Sequence, residues 1–268
     1  VIIPDGKLWH LPFEALLTGA PADADNFRTY PFWVREKTLR YCLSPAMLLE
    51  TATTPKYRAE KRWLGIAPFG DAESAENTET RTVPGHDFPA LPYSGQEVRG
   101  IAALVQGDTW VGDAARPDRF RSEAHRYGTL HLATHSRADD RQGDYSFVAT
   151  SLGGALLHAK DLFGLSLAAD MVVLSACEAG GGRLLRGEGI IGLVRGFLYA
   201  GARSVVASLW VAHDRGTANL MVGFYQNLQQ GIPRDMALRK AQINFIQQYP
   251  AQAHPFFWAG FRVYGHAP

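Results

Sequence analysis

Two residues capable of nucleophilic chemistry stand where apolar runs give way to polar loops. His135 closes the run Thr129–His135 (TLHLATH), and Cys177 closes Met171–Cys177 (MVVLSAC). A free thiol has a pKa near 8.5 and only the thiolate attacks well. A neighbouring imidazole that takes the thiol proton, and later returns it to a leaving amine, supplies what acyl transfer by cysteine needs. Cys177 follows His135 by 42 positions. Each residue taken singly reads more simply as structure: a cysteine at a strand end is usually a small buried hydrophobe, and one histidine among nine is usually structural. The pairing at two strand ends is what favours chemistry. His131, two strand positions before Ala133, points away from its neighbours Leu130 and Leu132 and reads as support. Cys42 has no comparable context.

These residues need strands to carry them. Met171–Ala176 is continuously apolar, as expected of a parallel strand covered on both faces, and Thr129–Thr134 and Arg203–Leu209 read as strands beside it. Helical periodicity marks Ser94–Val105, with Val98, Ile101 and Val105 on one face, and also Arg116–Tyr127, Gly189–Ala200, Arg215–Gln230 and Arg234–Gln248. Strands alternating with helices predict a mostly parallel sheet with helices on both faces. In such sheets ligands bind beyond the carboxyl ends of the strands, where His135 and Cys177 both stand if their strands are neighbours. The turn after Cys177 (EAGGG) leads towards a helix N-terminus that favours negative charge. The backbone N–H groups of Cys177 and Ser136 are candidates to hold an oxyanion, where one missing donor costs about 3–4 kcal/mol.

Nearer the N-terminus, Ile2–Pro4 and Lys7–Leu11 around Asp5-Gly6 read as a hairpin, with strands expected at Arg40–Leu43 and Arg62–Ala67. The polar, acidic segment Gly70–Ala90 reads as a mobile surface loop that does not pack into a core. Ser146–Thr150 and Ala155–Leu157 read as a hairpin around Gly153-Gly154. The flanking loops Ala179–Arg186 and Arg137–Tyr145 are expected to be mobile gates that order on binding.

Several strings together, in order along the chain, resemble the CHAT domain family of caspase-like (clan CD) cysteine peptidases: IIPDGKLWHLPFEAL, YCLSPAMLL, LPYSGQEV, HLATHS, VVLSACEAGGG, GEGIIGLVRGFLYAGARSVVASLWVAHD and HPFFWAGFRVYG. The resemblance implies a caspase-like three-layer α/β/α sandwich with a mostly parallel central sheet. It divides the chain into an N-terminal regulatory or pseudo-caspase-like portion, residues 1–90, and a catalytic portion, residues 91–268. It implies that His135, the second histidine of an H-x-x-x-H motif, is the general base and that Cys177 is the nucleophile of an endopeptidase acting on a protein substrate. The family usually has Gly after the catalytic histidine. Here Ser136 keeps the N–H but adds a Cβ at a position of close backbone approach. CHAT domains are often joined to TPR-type repeats, so an upstream regulatory region or activating partner is expected, with no metal and no organic cofactor. The alternative from another class is a catalytically silent interaction module.

Asp214 is the candidate for substrate specificity. If Arg203–Leu209 neighbours the Cys177 strand, Asp214 stands on the same crevice and favours Arg or Lys before the scissile bond. Separases, of the same clan, have a similar stretch and cleave after Arg. Capping of the helix that follows is the simpler account of this Asp.

Other patterns carry less. Gly187-Glu-Gly189-Ile-Ile-Gly192, with Asp214 beyond it, matches the dinucleotide fingerprint formally. It does not follow its strand directly, so close packing is the better use of these glycines. Ala149-Thr-Ser151-Leu-Gly153 lacks the first Gly of a nucleophile elbow. The aromatic group around Pro255–Phe261 reads as core, and Trp210 as either core or cleft wall.

The net charge of +1, from 27 basic and 26 acidic residues, leaves no basic footprint for nucleic acid. No apolar run reaches the ~20 residues of a membrane span. Two cysteines without CxxC spacing argue against a disulfide framework or zinc and for a reduced, cytoplasmic setting. The opening Val-Ile-Ile-Pro, without Met or a charged leader, reads as an excised domain or processed product.

Overall fold

The computed structural model describes residues 1–53, 59–70, 81–83, 86–88, 90–137, 139, 143–151, 156–175, 177–178, 188–210 and 214–267. In chain order the strands are β1 (Lys61–Ala67), β2 (Arg81–Val83), β3 (His86–Phe88), β4 (Asp108–Val111), β5 (Tyr127–Leu132), β6 (His135–Arg137), β7 (Phe147–Ala149), β8 (Leu156–His158), β9 (Met171–Leu174), β10 (Cys177–Glu178), β11 (Ser204–Ser208) and β12 (Phe261–Gly265). The helices are α1 (Pro45–Thr53), α2 (Pro92–Val105), α3 (Pro117–Glu123), α4 (Ala159–Leu162), α5 (Glu188–Tyr199), α6 (Asp214–Gln229) and α7 (Arg234–Gln248), with short 3-10 turns between.

Six strands form the main sheet in the order β12-β11-β9-β5-β1-β4. All neighbours are parallel except β11 and β12. The sequence dictates this burial directly. Alternate residues of β9 face opposite layers: Met171 and Val173 join one core, Val172 and Leu174 the other. The first core gathers Val98, Ile101 and Val105 of α2, Leu220, Met221 and Phe224 of α6, and Leu238 and Phe245 of α7. The second gathers Phe120 of α3, Leu162 of α4, and Leu193, Val194 and Phe197 of α5. The i, i+3, i+4 spacing of these side chains is why the segments are helices and why each buries one stripe. The result is the three-layer α/β/α sandwich with the mostly parallel sheet that the sequence predicts. Among the described residues, no helix is long and apolar enough to cross a membrane.

A second sheet, β10-β6-β7-β8, stands beyond the carboxyl ends of the first. Strands β7 and β8 pair antiparallel as the expected hairpin, Val148 opposite Leu157; Gly153-Gly154 lie outside the described residues. This hairpin also disposes of the nucleophile-elbow pattern, since Ala149 leads to an antiparallel strand and not into a helix. Gly192, on α5, serves close packing: a Cβ there would stand 2.5 Å from the Gly143 carbonyl oxygen.

Four local expectations differ from the structure. Residues 1–11 are not a hairpin. Gly6 has the positive φ expected, 51°, but it opens a 3-10 turn, Gly6–His10. Ile2 instead donates to the Arg40 carbonyl and accepts from the Cys42 N–H, at 2.8 and 3.0 Å, so Lys7–Leu11 has no strand to pair with. Arg40–Leu43 is likewise not a strand: Tyr41 makes isolated bridges to Ile2 and Tyr264. The third helix is shorter than expected, because Tyr127 is buried and already opens β5 opposite Lys61. Finally, Gly70–Ala90 does reach a core. β2 and β3 pair antiparallel, and Phe88 is buried with Phe69, Phe147 and Ala149. One aromatic residue outweighs the polar composition around it.

The N-terminal segment is fastened by a buried polar group. Arg262 of β12 lies over the Tyr41 ring, 4.2 Å from its centroid. Its guanidinium donates to the carbonyls of Trp9 and Leu11 and stands 3.8 Å from the Glu14 carboxylate. Tyr41 donates to the same carboxylate at 2.9 Å.

Candidate active site

The two residues singled out by their chemistry are neighbours in the sheet. β5 and β9 are adjacent and parallel, with Thr129 opposite Met171 and Leu132 opposite Leu174. Both chains then break for two residues and resume as β6 and β10. There His135 is opposite Cys177 and Ser136 opposite Glu178. The same offset holds on both sides of the break, so the second ladder continues the first. Neighbouring strands lie about 4.8 Å apart, which puts the histidine and cysteine backbones side by side past the carboxyl ends of the central strands.

Hydrogen bonds hold the break. Ala133 donates its N–H to the Ile66 carbonyl at 2.9 Å and Ser175 donates to Leu132 at 3.1 Å. The Thr134 hydroxyl donates to the Ala149 carbonyl at 2.6 Å, tying the bend to β7. The His135 ring is 2% exposed. It stacks on Phe88, centroids 4.9 Å apart and planes 16° apart, and meets Phe69 edge-on at 4.8 Å. Phe69 follows β1, and its turn is fixed by close approach to α2: a Cβ on Gly95 would overlap the Gly70 carbonyl oxygen. The two phenyl rings limit the rotation of the imidazole. Ser136 is buried beside it.

Below the break, His131 is completely buried and faces α2 and α6. Its Nε2 is 2.7 Å from Glu97 Oε1, its Nδ1 is 3.1 Å from the Tyr225 hydroxyl, and Ser175 Oγ is 3.3 Å from Nε2. Support is the role the sequence predicts for this histidine, and its three hydrogen-bond partners come from α2, α6 and the end of the β9 chain. Glu97, Tyr225, Phe69 and Phe88 are absent from the sequence reading of the site. For Glu97 a signal exists: a carboxylate next to Val98 on the buried stripe of a helix is costly unless paired.

Asp214 is the first residue of α6. The strand before it, β11, pairs with β9, Ala207 opposite Leu174, so the condition attached to the Asp214 expectation is met at the level of strand order. Trp210 packs against both cores and donates its indole N–H to the Phe256 carbonyl at 2.8 Å. Of the expected gates, Ala179–Arg186 lies outside the described residues. In Arg137–Tyr145, Arg137 belongs to β6 and Gly143–Tyr145 forms a 3-10 turn, while residues 138 and 140–142 lie outside the description. Among the described residues no group of three or more His, Cys, Asp or Glu is arranged to hold a metal.

Known proteins match most of the chain. The Saccharomyces cerevisiae separase in its complex with securin superposes with a TM-score of 0.57 at 11% identity, covering 87% of this chain and 14% of the separase chain. The Arg-specific cysteine proteinase gingipain R superposes with a TM-score of 0.52 at 12% identity, covering 84% of this chain and 52% of its own. At these identities the likeness establishes the fold, which is caspase-like. Tetratricopeptide repeat protein 28 is 34% identical in Homo sapiens and 24% identical in Mus musculus. Each alignment takes in 99% of this chain, which spans only 12% of the length of those relatives. The CHAT domain model matches residues 1–266, and the chain belongs to the CHAT domain family.

Proposed function

We propose that the chain is a cysteine endopeptidase in which Cys177 is the nucleophile and His135 the general base. The observation that carries this reading is the register of β6 and β10, which sets the two residues opposite each other at the carboxyl ends of the central strands. His135 takes the thiol proton and Cys177 Sγ attacks the carbonyl carbon of the scissile peptide. The backbone N–H groups of Ser136 and Cys177 hold the oxyanion. The C–N bond breaks as the imidazolium returns the proton to the leaving amine, giving a thioester. Water, deprotonated by the same imidazole, then hydrolyses the thioester and restores the thiol. Asp214 lines the pocket for the residue before the scissile bond and pairs with Arg or Lys there. The likeness in fold to an Arg-specific cysteine proteinase supports that preference. The substrate is a protein in the cytoplasm, and an upstream TPR-type region regulates access, with residues 1–90 as the regulatory portion of the domain.

The test is thiol labelling with an electrophilic peptide, together with cleavage of a peptide library. Cys177 should label much faster than Cys42, which is buried. Cys177→Ala and His135→Ala should each abolish turnover without unfolding the domain, and the double variant should lose no more, because the pair acts as a unit. Slow and equal labelling of both thiols would favour the interaction-module reading. Cleavage surviving in Cys177→Ala would remove this residue from the mechanism.

A further inference from the structure

The hydrogen bonds around His131 do more than fill a buried polar site. A buried ion-pair-like cluster is a poor device for stability, because apolar residues of similar volume usually do as well or better. What such a cluster supplies is register. His131 binds α2 through Glu97 and α6 through Tyr225, and reaches Ser175 across the β5–β9 ladder. Burial pushes the Tyr225 phenol well above its usual range, with the Glu97 carboxylate adding to it. A carboxylate only accepts, so the ring nitrogen facing Glu97 carries the hydrogen: Nε2–H points at Glu97 and at Ser175 beside it, and Nδ1 of the neutral ring accepts from the Tyr225 phenol. Ser175 is the first residue of the break after β9, and Cys177 is two residues further on.

We propose that His131, held by Glu97 and Tyr225, is a positioning residue that fixes the β5–β9 register at the break and, through Ser175, sets where Cys177 stands relative to His135. This rests on the peptidase reading of that pair. The geometry gives the reason. β10 is only two residues long, and the register of so short a ladder must be imposed from the longer one beneath it. A slip of one residue would carry every side chain to the opposite face. The backbone bond from Ser175 N–H to Leu132 fixes the height of the chain on one side of the break. The Ser175 hydroxyl, drawn towards His131 Nε2, fixes its direction.

The experiment uses the whole chain with Cys42→Ala, so that Cys177 is the single thiol. Its alkylation rate by iodoacetamide is followed against pH, alongside the unfolding midpoint. In the parent protein the rate should rise well below the free-thiol pKa of about 8.5. His131→Leu alone would strand the Glu97 carboxylate and confuse the two effects. The variant is therefore the apolar replacement of the whole cluster, Glu97→Leu, His131→Leu and Tyr225→Phe. It should stay folded, while its alkylation profile moves up towards that of a free thiol and its rate near neutrality falls at least about tenfold, a misplacement of about 1 Å being able to cost about a hundredfold. A folded triple variant with an unchanged profile would overturn the proposal and leave the peptidase reading standing. If the triple variant does not fold, Ser175→Ala decides: it removes the hydroxyl that reaches His131, should shift the profile in the same direction by less, and overturns the proposal if the profile does not move. A parent protein whose Cys177 already alkylates like a free thiol overturns the peptidase reading, and the positioning role with it.

Discussion

Substituting Glu14→Gln should change how the stability of the domain depends on pH. The Glu14 carboxyl is buried, and burial raises its pKa from 4.5 to about 7, against the opposing pull of the Arg262 guanidinium and the hydrogen bond from Tyr41. Below pH 4.5 the acid is protonated in both the folded and the unfolded chain. As the pH rises the unfolded chain releases its proton first, so a contribution present below 4.5 is lost until the folded group also ionises, near pH 7. At roughly 1.4 kcal/mol for each pH unit, that interval is worth about 3 kcal/mol. Gln resembles the protonated acid, with an amide oxygen to accept from Tyr41, and it does not titrate. Urea unfolding of both proteins at a series of pH values, followed by tryptophan fluorescence and far-ultraviolet circular dichroism, gives the difference in stability directly. The unmodified protein should lose about 3 kcal/mol relative to Glu14→Gln across this window, and the difference should level off above it. Parallel curves, with a difference constant to within about 0.5 kcal/mol, the spread of ordinary surface substitutions, would refute the reasoning. They would mean that the Arg262 charge and the hydrogen bonds offset the burial of the carboxylate.

Two further outcomes bear on the site and its frame. Asp214→Asn should collapse cleavage after Arg while leaving the unfolding midpoint nearly unchanged, since Asn still caps a helix but does not pair with a guanidinium; an unmodified domain preferring apolar residues before the scissile bond, and unaltered by the substitution, sinks the pocket assignment. Gly192→Ala should destabilise the domain by about 1–3 kcal/mol through overpacking, because its Cβ would meet the Gly143 carbonyl oxygen at 2.5 Å, and calorimetry showing no loss would mean that the turn at Gly143 gives way at no cost.

The central strands were legible because their environment is written in them. A segment buried on both faces is apolar wherever its polar groups find no partner, and Met171–Leu174 and Ser204–Ser208 are wholly buried, the two serine hydroxyls being satisfied by the carbonyls of Asp170 and Trp210. The adjacency of His135 and Cys177 was legible for a related reason: residues that end two such runs emerge at the same edge when the sheet between them is parallel. The surroundings of the pair were not. Glu97 and Tyr225 reach His131 from helices, and no periodicity states which strand residue a helix side chain will meet. Phe88 is the one aromatic residue in an otherwise polar, acidic stretch, so averaging over the segment hid it. The N-terminal residues follow neither the helical nor the strand period, and polar contacts from Arg262, 251 positions after Leu11, decide their path. Local sequence does not record a fastening made at that distance.

The unbroken offset between the β5–β9 and β6–β10 ladders also governs how the chain tolerates changes in length. His135 and Cys177 stand opposite each other because two strands run side by side in step, so the intervening stretch from β7 to α4 contributes nothing to their height. Residues added or removed there alter what surrounds the cleft and leave the pair level. One residue added between Leu132 and His135, where the chain bends, would shift His135 by one step against Cys177 and turn its ring to the far side of the ladder. Chain length is therefore free to vary in the connection and fixed in the bend, and two residues of backbone matter more to the site than the thirty-odd that separate β6 from β9.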